Sequence, residues 1–391
     1  MTTRLPLLED LPEVEGKSVL VRVDFNVPIR EVDGRRVVAD DFRIKSAIPT
    51  LHWLVERGAK VTCATHLGRP KGKPDPAFDV APVRERLEEM LPEVSLMENL
   101  RFDPGEETND PAFVDRLVAG QDLYVNDAFG SSHRRHASIV GPPTRLPSAA
   151  GRLLAREVEV IGGLLKSPRR PFVAVLGGAK VADKLGVVQS LARHADTVLV
   201  GGGMSYTFLA ARGESIGDSL FDATKLEECT ALLSGSFDIQ LPTDVVAIGP
   251  GGTLRPGGLA TDDLDPIETF SGGIPDGWEG VDIGEETRRA YAGAIDSAGT
   301  VFWNGPVGVF EDPRFALGTR ALAESLASAG GFTVVGGGDV VAAIDGFGLE
   351  DKIDFVSTGG GASLELLEFG DLPGLAALRS ASNAPCDGGD A

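Results

Sequence analysis

Short apolar, β-branched runs alternate along the chain with segments in which apolar residues recur at helical spacing. That alternation predicts βα units and a parallel sheet. In the first half the strand-like runs are Ser18–Val23, Lys60–Thr65 and Leu123–Asn126, with helices predicted over Arg43–Arg57, Val80–Leu91 and Pro111–Val118. In the second half the runs are Phe172–Leu176, Thr197–Val200, Asp244–Ile248, Thr300–Trp303, Phe332–Val335 and Phe355–Ser357. Residues 151–166 read as one long helix, and Ser167-Pro168-Arg169-Arg170-Pro171 after it cannot continue one, which marks a domain junction. Residues 249–280, rich in Gly, Pro and Asp, read as a loop or irregular hairpin, and the polar tail after Arg379 as a frayed end.

A chain of 391 residues exceeds one ordinary core and predicts two domains. No apolar run approaches the roughly 18 residues of a membrane span, and the first residues lack the apolar core of a signal peptide. Cys63, Cys229 and Cys386 are odd in number and share no CxxC spacing, which argues against a disulfide frame or a thiolate metal site and for a reducing, cytoplasmic location. The formal charge is −21, with ten Lys against 27 Arg. Such self-repulsion is screened when the Debye length falls to about 3 Å near 1 M salt, so an acidic surface adapted to a salty cytoplasm is expected. The same charge makes nucleic acid or an anionic membrane an unexpected partner.

The strand ends carry the chemistry, because parallel α/β sheets bind ligands beyond their carboxyl ends. First-half strands end in Asp24 and Asn26, His66 and Arg69, and Asn126 and Asp127, whereas second-half strands end in Gly177-Gly178, Gly201–Gly203, Gly336–Gly338 and Gly359–Gly361. The first set suits a small anion held by cationic side chains; the second offers backbone N–H groups at helix starts, suited to phosphates. Alternation places Arg22, Asp24 and Asn26 on one face, where the plain alternative is a solvated edge strand. His133 and His136 flank Arg134 and Arg135, and neighbouring arginines repel a cation, so an anion site is the better reading than a metal. Lys180 and Lys184, four apart after Gly177-Gly178, are expected to share one face of a helix opening there. Neither is followed by Ser or Thr, so this is no Walker A loop. No protein-kinase catalytic set is present, and no GxGxxG follows the first strand as a nicotinamide dehydrogenase would require.

Nine segments in order, RVDFNVP (22–28), THLGRP (65–70), ENLRF (98–102), NDAFGSSHRRH (126–136), GGAKVADK (177–184), GGGM (201–204), WNGPVGVFE (303–311), GGGD (336–339) and STGGGASLELLE (357–368), together resemble the phosphoglycerate kinase family. The resemblance implies an α/β fold of two Rossmann-like three-layer domains with parallel sheets, joined by a hinge helix. It implies residues 1–166 for the acid substrate, 167–366 for the Mg-nucleotide, and 367–391 returning toward the first domain. The implied activity is reversible phosphoryl transfer between 1,3-bisphosphoglycerate and ADP, giving 3-phosphoglycerate and ATP, with Mg²⁺ as cofactor and a monomeric state. A non-catalytic phospho-metabolite-binding protein is the alternative. By resemblance the acid contacts fall on Asp24, Phe25, Asn26, Arg43, His66, Leu67, Gly68, Arg69, Arg101 and Arg134. Nucleotide contacts fall on Gly178, Ala179, Lys180, Lys184, Gly203, Gly280, Asn304, Pro306, Glu311, Gly337, Gly338, Asp339 and Val340. Arg43, Lys180 and Lys184 are the implied catalytic cations, Glu311 the ribose partner and Asp339 the metal ligand. Three positions depart from the family pattern: Val340 stands for Thr or Ser, Glu285 for Pro, and Arg135 for a small residue. Loss of the hydroxyl at Val340 is expected to weaken activity by about tenfold at most.

Overall fold

A computed structural model describes residues 4–257 and 265–381. The chain divides into two compact units, Met1–Val160 with Phe369–Ala391, and Ile161–Glu368. The boundary falls inside the helix Arg152–Lys166.

The first unit holds a five-stranded parallel sheet in the order Ser95–Leu96, Lys60–Ala64, Ser18–Val23, Leu123–Asp127 and Ser148–Ala150. Parallel neighbours need crossovers, supplied here by Phe42–Val55, Ala81–Met90 and Pro111–Val118 among others. Helix Phe42–Val55 buries Ile44, Ala47, Leu51 and Leu54, one stripe at helical spacing, against a core that includes Val19, Val21, Val23 and Val61. It ends two residues earlier than expected, as the chain turns at Gly58 with φ +76°. Ser18–Val23 is a central strand, paired on both sides, so the solvated-edge alternative does not hold. A hairpin of Ile29–Val32 and Arg35–Val38, absent from the expected elements, turns at Asp33 (φ 52°) and Gly34 (φ 75°). Helix Pro373–Ala381 packs within this unit on Ala137–Val140 and Ser148–Ala150, burying Leu375 and Leu378.

The second unit has a six-stranded parallel sheet in the order Ile239–Gln240, Thr197–Val200, Phe172–Leu176, Thr300–Asn304, Phe332–Gly336 and Phe355–Val356. Asp244–Ile248, expected among the parallel strands, is instead the middle of an antiparallel sheet with Ile267–Ser271 and Glu279–Ile283. Ile267–Ser271 and the first residues of Glu279–Ile283 come from the stretch read as a loop or irregular hairpin, residues 258–264 of which lie outside the described residues. A further correction concerns Gly177-Gly178, which opens no helix: residues 178–184 form turns and the helix is Leu185–His194. Lys180 and Lys184 therefore do not share a helix face. Among the described residues no helix is long and apolar enough to cross a membrane.

Candidate active site

Both sheets place their functional groups past the carboxyl ends of the strands. In the first unit the chain leaves Ser18–Val23 at Asp24, and three backbone-to-side-chain bonds stitch the neighbouring loops. Phe25 N–H donates to Thr65 Oγ1 (2.9 Å), Gly68 N–H to Asn26 Oδ1 (2.9 Å), and Leu67 N–H to Asn99 Oδ1 (3.2 Å). Asn99 also accepts from Arg101 N–H (3.1 Å), so a single buried amide fixes two of the predicted segments together. Gly68 has φ +61°, and a Cβ there would lie 2.2 Å from the Phe78 ring, so both backbone shape and packing demand glycine. Phe25 and Leu67 turn their side chains into the core and leave only main-chain groups on the ligand side.

The cationic side chains converge. Arg43 pairs with Asp24 at 3.0 Å, and Arg22 approaches His66 Nδ1 at 3.2 Å. Arg101 donates to Gly68 O (2.8 Å) and lies 3.3 Å from Glu107. Arg69 and Arg134 are exposed, with no side-chain bond among the described residues. Burial would raise the Asp24 carboxyl, but Arg43, with Arg22, outweighs it and holds it below the ordinary range. Burial drives His66 well below 6.5, with Asp24 opposing and Arg22, Arg101 and Arg43 assisting, so its ring is neutral. Burial together with Arg101, Arg134 and Arg22 takes His136 to about 4. Arg101 itself is lowered by burial and, against the pull of Glu107, by Arg22 and Arg134. Cations that depress one another's protonation in a half-buried pocket are stabilised by an anion. Arg135 is exposed beside this cluster and faces a separate cavity with Arg145. Arg22 and Asn99 belong to this site and were not among the predicted residues; a charged residue inside the apolar run Ser18–Val23 was the available signal.

In the second unit Lys184 folds back over the end of the sheet. Its ammonium donates to Gly177 O (2.6 Å) and to Asn304 Oδ1 (2.8 Å). Burial pulls its pKa down to about 8, opposed by Asp339 and Asp183. Asn304 Nδ2 is buried without a partner among the described residues, and a Cβ on Gly337 would come within 3.0 Å of it. Gly337 (φ 105°) is the N-cap of helix Gly338–Gly346, and Gly338 has open space where a side chain would stand. Pro306 O accepts from Gly178 N–H (2.8 Å) and closes on Gly177. These contacts gather Gly178, Lys184, Asn304, Pro306, Gly337 and Gly338 into one cradle. Ala179 and Gly203 touch beside it, and Tyr206 links Gly203 to Gly280, where a Cβ would meet the Tyr206 ring at 2.5 Å. Asp339 is exposed in the first helical turn, whereas the Val340 side chain is wholly buried in the core. Lys180 is exposed and Glu311 sits on an exposed turn; neither side chain has a hydrogen bond or ion pair with the cradle among the described residues.

Among the described residues no three His, Cys, Asp or Glu form a metal cage. A single exposed carboxylate beside a lysine and a helix N-terminus suits a hard divalent cation that brings phosphate oxygens as its other ligands. Asp339 fits that role.

The family model described as phosphoglycerate kinase matches residues 8–95 and 91–369. A phosphoglycerate kinase of Rubrobacter xylanophilus is 49% identical over 393 residues, spanning 94% of this chain and 96% of the relative. One of Salinispora tropica is 47% identical, spanning 95% and 99%. The solved phosphoglycerate kinase of Coxiella burnetii superposes with a TM-score of 0.84 at 35% identity, covering 96% of this chain and 99% of its own. That of Pyrococcus horikoshii gives 0.80 at 30% identity, covering 97% and 99%.

Proposed function

This chain belongs to the phosphoglycerate kinase family, and from that we propose how its two half-sites divide the reaction. The enzyme transfers a phosphoryl group reversibly between 1,3-bisphosphoglycerate and ADP, giving 3-phosphoglycerate and ATP. The acid is held by Asn26, Arg43, His66, Arg69, Arg101 and Arg134, against the backbone of Phe25, Leu67 and Gly68, while Asp24 orients Arg43 through their ion pair. The nucleotide phosphates lie over Gly178, Ala179, Gly337, Gly338 and the N–H of Val340, against Lys184 and Asn304, with Lys180 at the outer edge. Gly203, Gly280 and Pro306 line the remainder of the nucleotide, and Glu311 meets the ribose. Asp339 holds Mg²⁺, which when bound neutralises phosphate charge.

The observation that carries this reading is the contrast between the two ends of the sheets. One is a cluster of arginines around a neutral histidine, the other a glycine cradle with one half-buried lysine. A carboxylate acceptor is ionised at neutral pH and needs no general base, so the chain supplies alignment and positive potential instead of a nucleophile. Arg43 and Lys184 are the cations that meet the phosphoryl group in flight. Because acid and nucleotide are assigned to separate units, hinge bending is read as part of the catalytic cycle. The neutral His66 donates one hydrogen bond and takes no proton.

The enzyme is read as a cytoplasmic monomer that binds neither nucleic acid nor membrane, with an acidic surface suited to high salt. A coupled assay for ATP-dependent consumption of 3-phosphoglycerate, run from dilute buffer to molar KCl, tests the whole reading. Turnover dependent on both substrates is expected; binding without turnover at any salt concentration contradicts it.

A further inference from the structure

Behind the cationic cluster runs a buried polar chain that phosphoryl transfer itself does not touch. Glu106, 0% exposed, stands in the short helix Gly105–Thr108. Its Oε1 accepts from Ser138 Oγ at 2.6 Å and its Oε2 from Ser138 N–H at 2.9 Å. Ser138 Oγ in turn accepts from Arg22 Nε at 2.9 Å, and Tyr124 anchors the Ser138 carbonyl at 2.7 Å. Arg22, 1% exposed, donates onward to Val23 O and to His66 Nδ1.

The direction of every bond is set by chemistry. A guanidinium has no lone pair to offer, so Ser138 Oγ and His66 Nδ1 must both accept from Arg22. The single Ser138 hydroxyl hydrogen is then left for Glu106. A neutral histidine that accepts at Nδ1 carries its hydrogen on Nε2. A donor there welcomes a phosphate or carboxylate oxygen, while a lone pair there would repel one. The remaining charges near the ring are otherwise engaged: Asp24 pairs with Arg43, and Arg101 with Glu107 and Gly68 O. His136 Nδ1 lies 3.8 Å from Glu106, outside hydrogen-bond range.

We propose that Glu106 and Ser138 are positioning residues which, through Arg22, lock His66 as an Nε2–H donor to the acid substrate. This rests on the reading that the acid binds at His66. Deleting a link in a charge-assisted chain costs about tenfold in binding.

Nitrogen-15 histidine spectra of the full-length protein at pH 7.5, with the His66 signal assigned through His66→Gln, test it alongside steady-state kinetics. Wild-type His66 is expected on the Nε2–H tautomer and shifts when 3-phosphoglycerate is added. Ser138→Ala and Glu106→Gln are expected to mix the tautomers and to raise KM for 3-phosphoglycerate about tenfold, with KM for ATP within about twofold. Ser138→Thr, which keeps the hydroxyl, restores both. An unchanged tautomer and KM in Ser138→Ala overturns the proposal, as does an equal rise in both KM values. A wild-type His66 signal blind to 3-phosphoglycerate overturns instead the acid-site reading and takes the proposal with it.

Discussion

Arg43 and Lys184 are the two residues whose charge the reaction uses most directly, and their surroundings make different predictions. Arg43 is partly exposed and, among the described residues, pairs with Asp24, so Arg43→Ala removes positive potential from the site. Its turnover is expected to fall by about 100-fold or more, and near-normal turnover would show the role misassigned. Lys184 is cationic below its pKa of about 8 and neutral above it, because burial favours the uncharged amine. Phosphate binding needs the cation, so kcat/KM for ATP is expected to fall as pH rises through about 8, and Lys184→Ala should lose this limb along with most activity. A profile flat to pH 10 contradicts it. At this scale the sequence exposed the residues that sit in glycine-flanked or strand-terminal motifs. It hid Asn99 and Glu106, whose importance lies in partners far along the chain: Asn99 clamps Leu67, and Glu106 bonds Ser138. Spacing cannot reveal such pairings.

Most of the parallel strands were legible as elements because both faces are covered and the runs are continuously apolar, as in Phe172–Leu176, whereas Ser95–Leu96, Ser148–Ala150 and Ile239–Gln240, two or three residues each, are too short to show such a run. The hairpin at Asp33-Gly34 had a turn signal, but its strands are charged and largely exposed, so no apolar alternation flagged them. Ile267–Ser271 was hidden for the same reason, and with it the antiparallel setting of Asp244–Ile248. Glu285, a departure from the family pattern, opens the helix Glu285–Asp296 at its first position. Asp244 caps that helix by accepting from Glu286 and Thr287 N–H, a cap that does not use the Glu285 N–H, and Gly284 before it is extended. Proline is tolerated there, while Glu285 pairs with Arg289 and favours the helix dipole. Glu285→Pro is therefore expected to change stability by no more than about 0.5 kcal/mol. A loss of about 2 kcal/mol or more in chemical denaturation would contradict the cap as described.

At the scale of the molecule, a net charge of −21 on 391 residues opposes compaction, and salt relieves it. The melting midpoint is expected to rise from dilute buffer toward molar KCl; a steady fall would remove the proposed adaptation. Composition disclosed this charge, chain length the two domains, and the residues at the strand ends the contrast between a cationic and a glycine-lined site, whereas the contacts that assemble each site, such as Asn99 with Leu67 and Lys184 with Asn304, join loops distant in sequence. The most direct test is calorimetric titration of 3-phosphoglycerate and of Mg-ADP, each separately, into wild type, Arg101→Ala and Lys184→Ala. Arg101→Ala should lose the acid and keep the nucleotide, and Lys184→Ala the reverse. Loss of both ligands in one variant, or of neither in both, would contradict the division of labour between the two units.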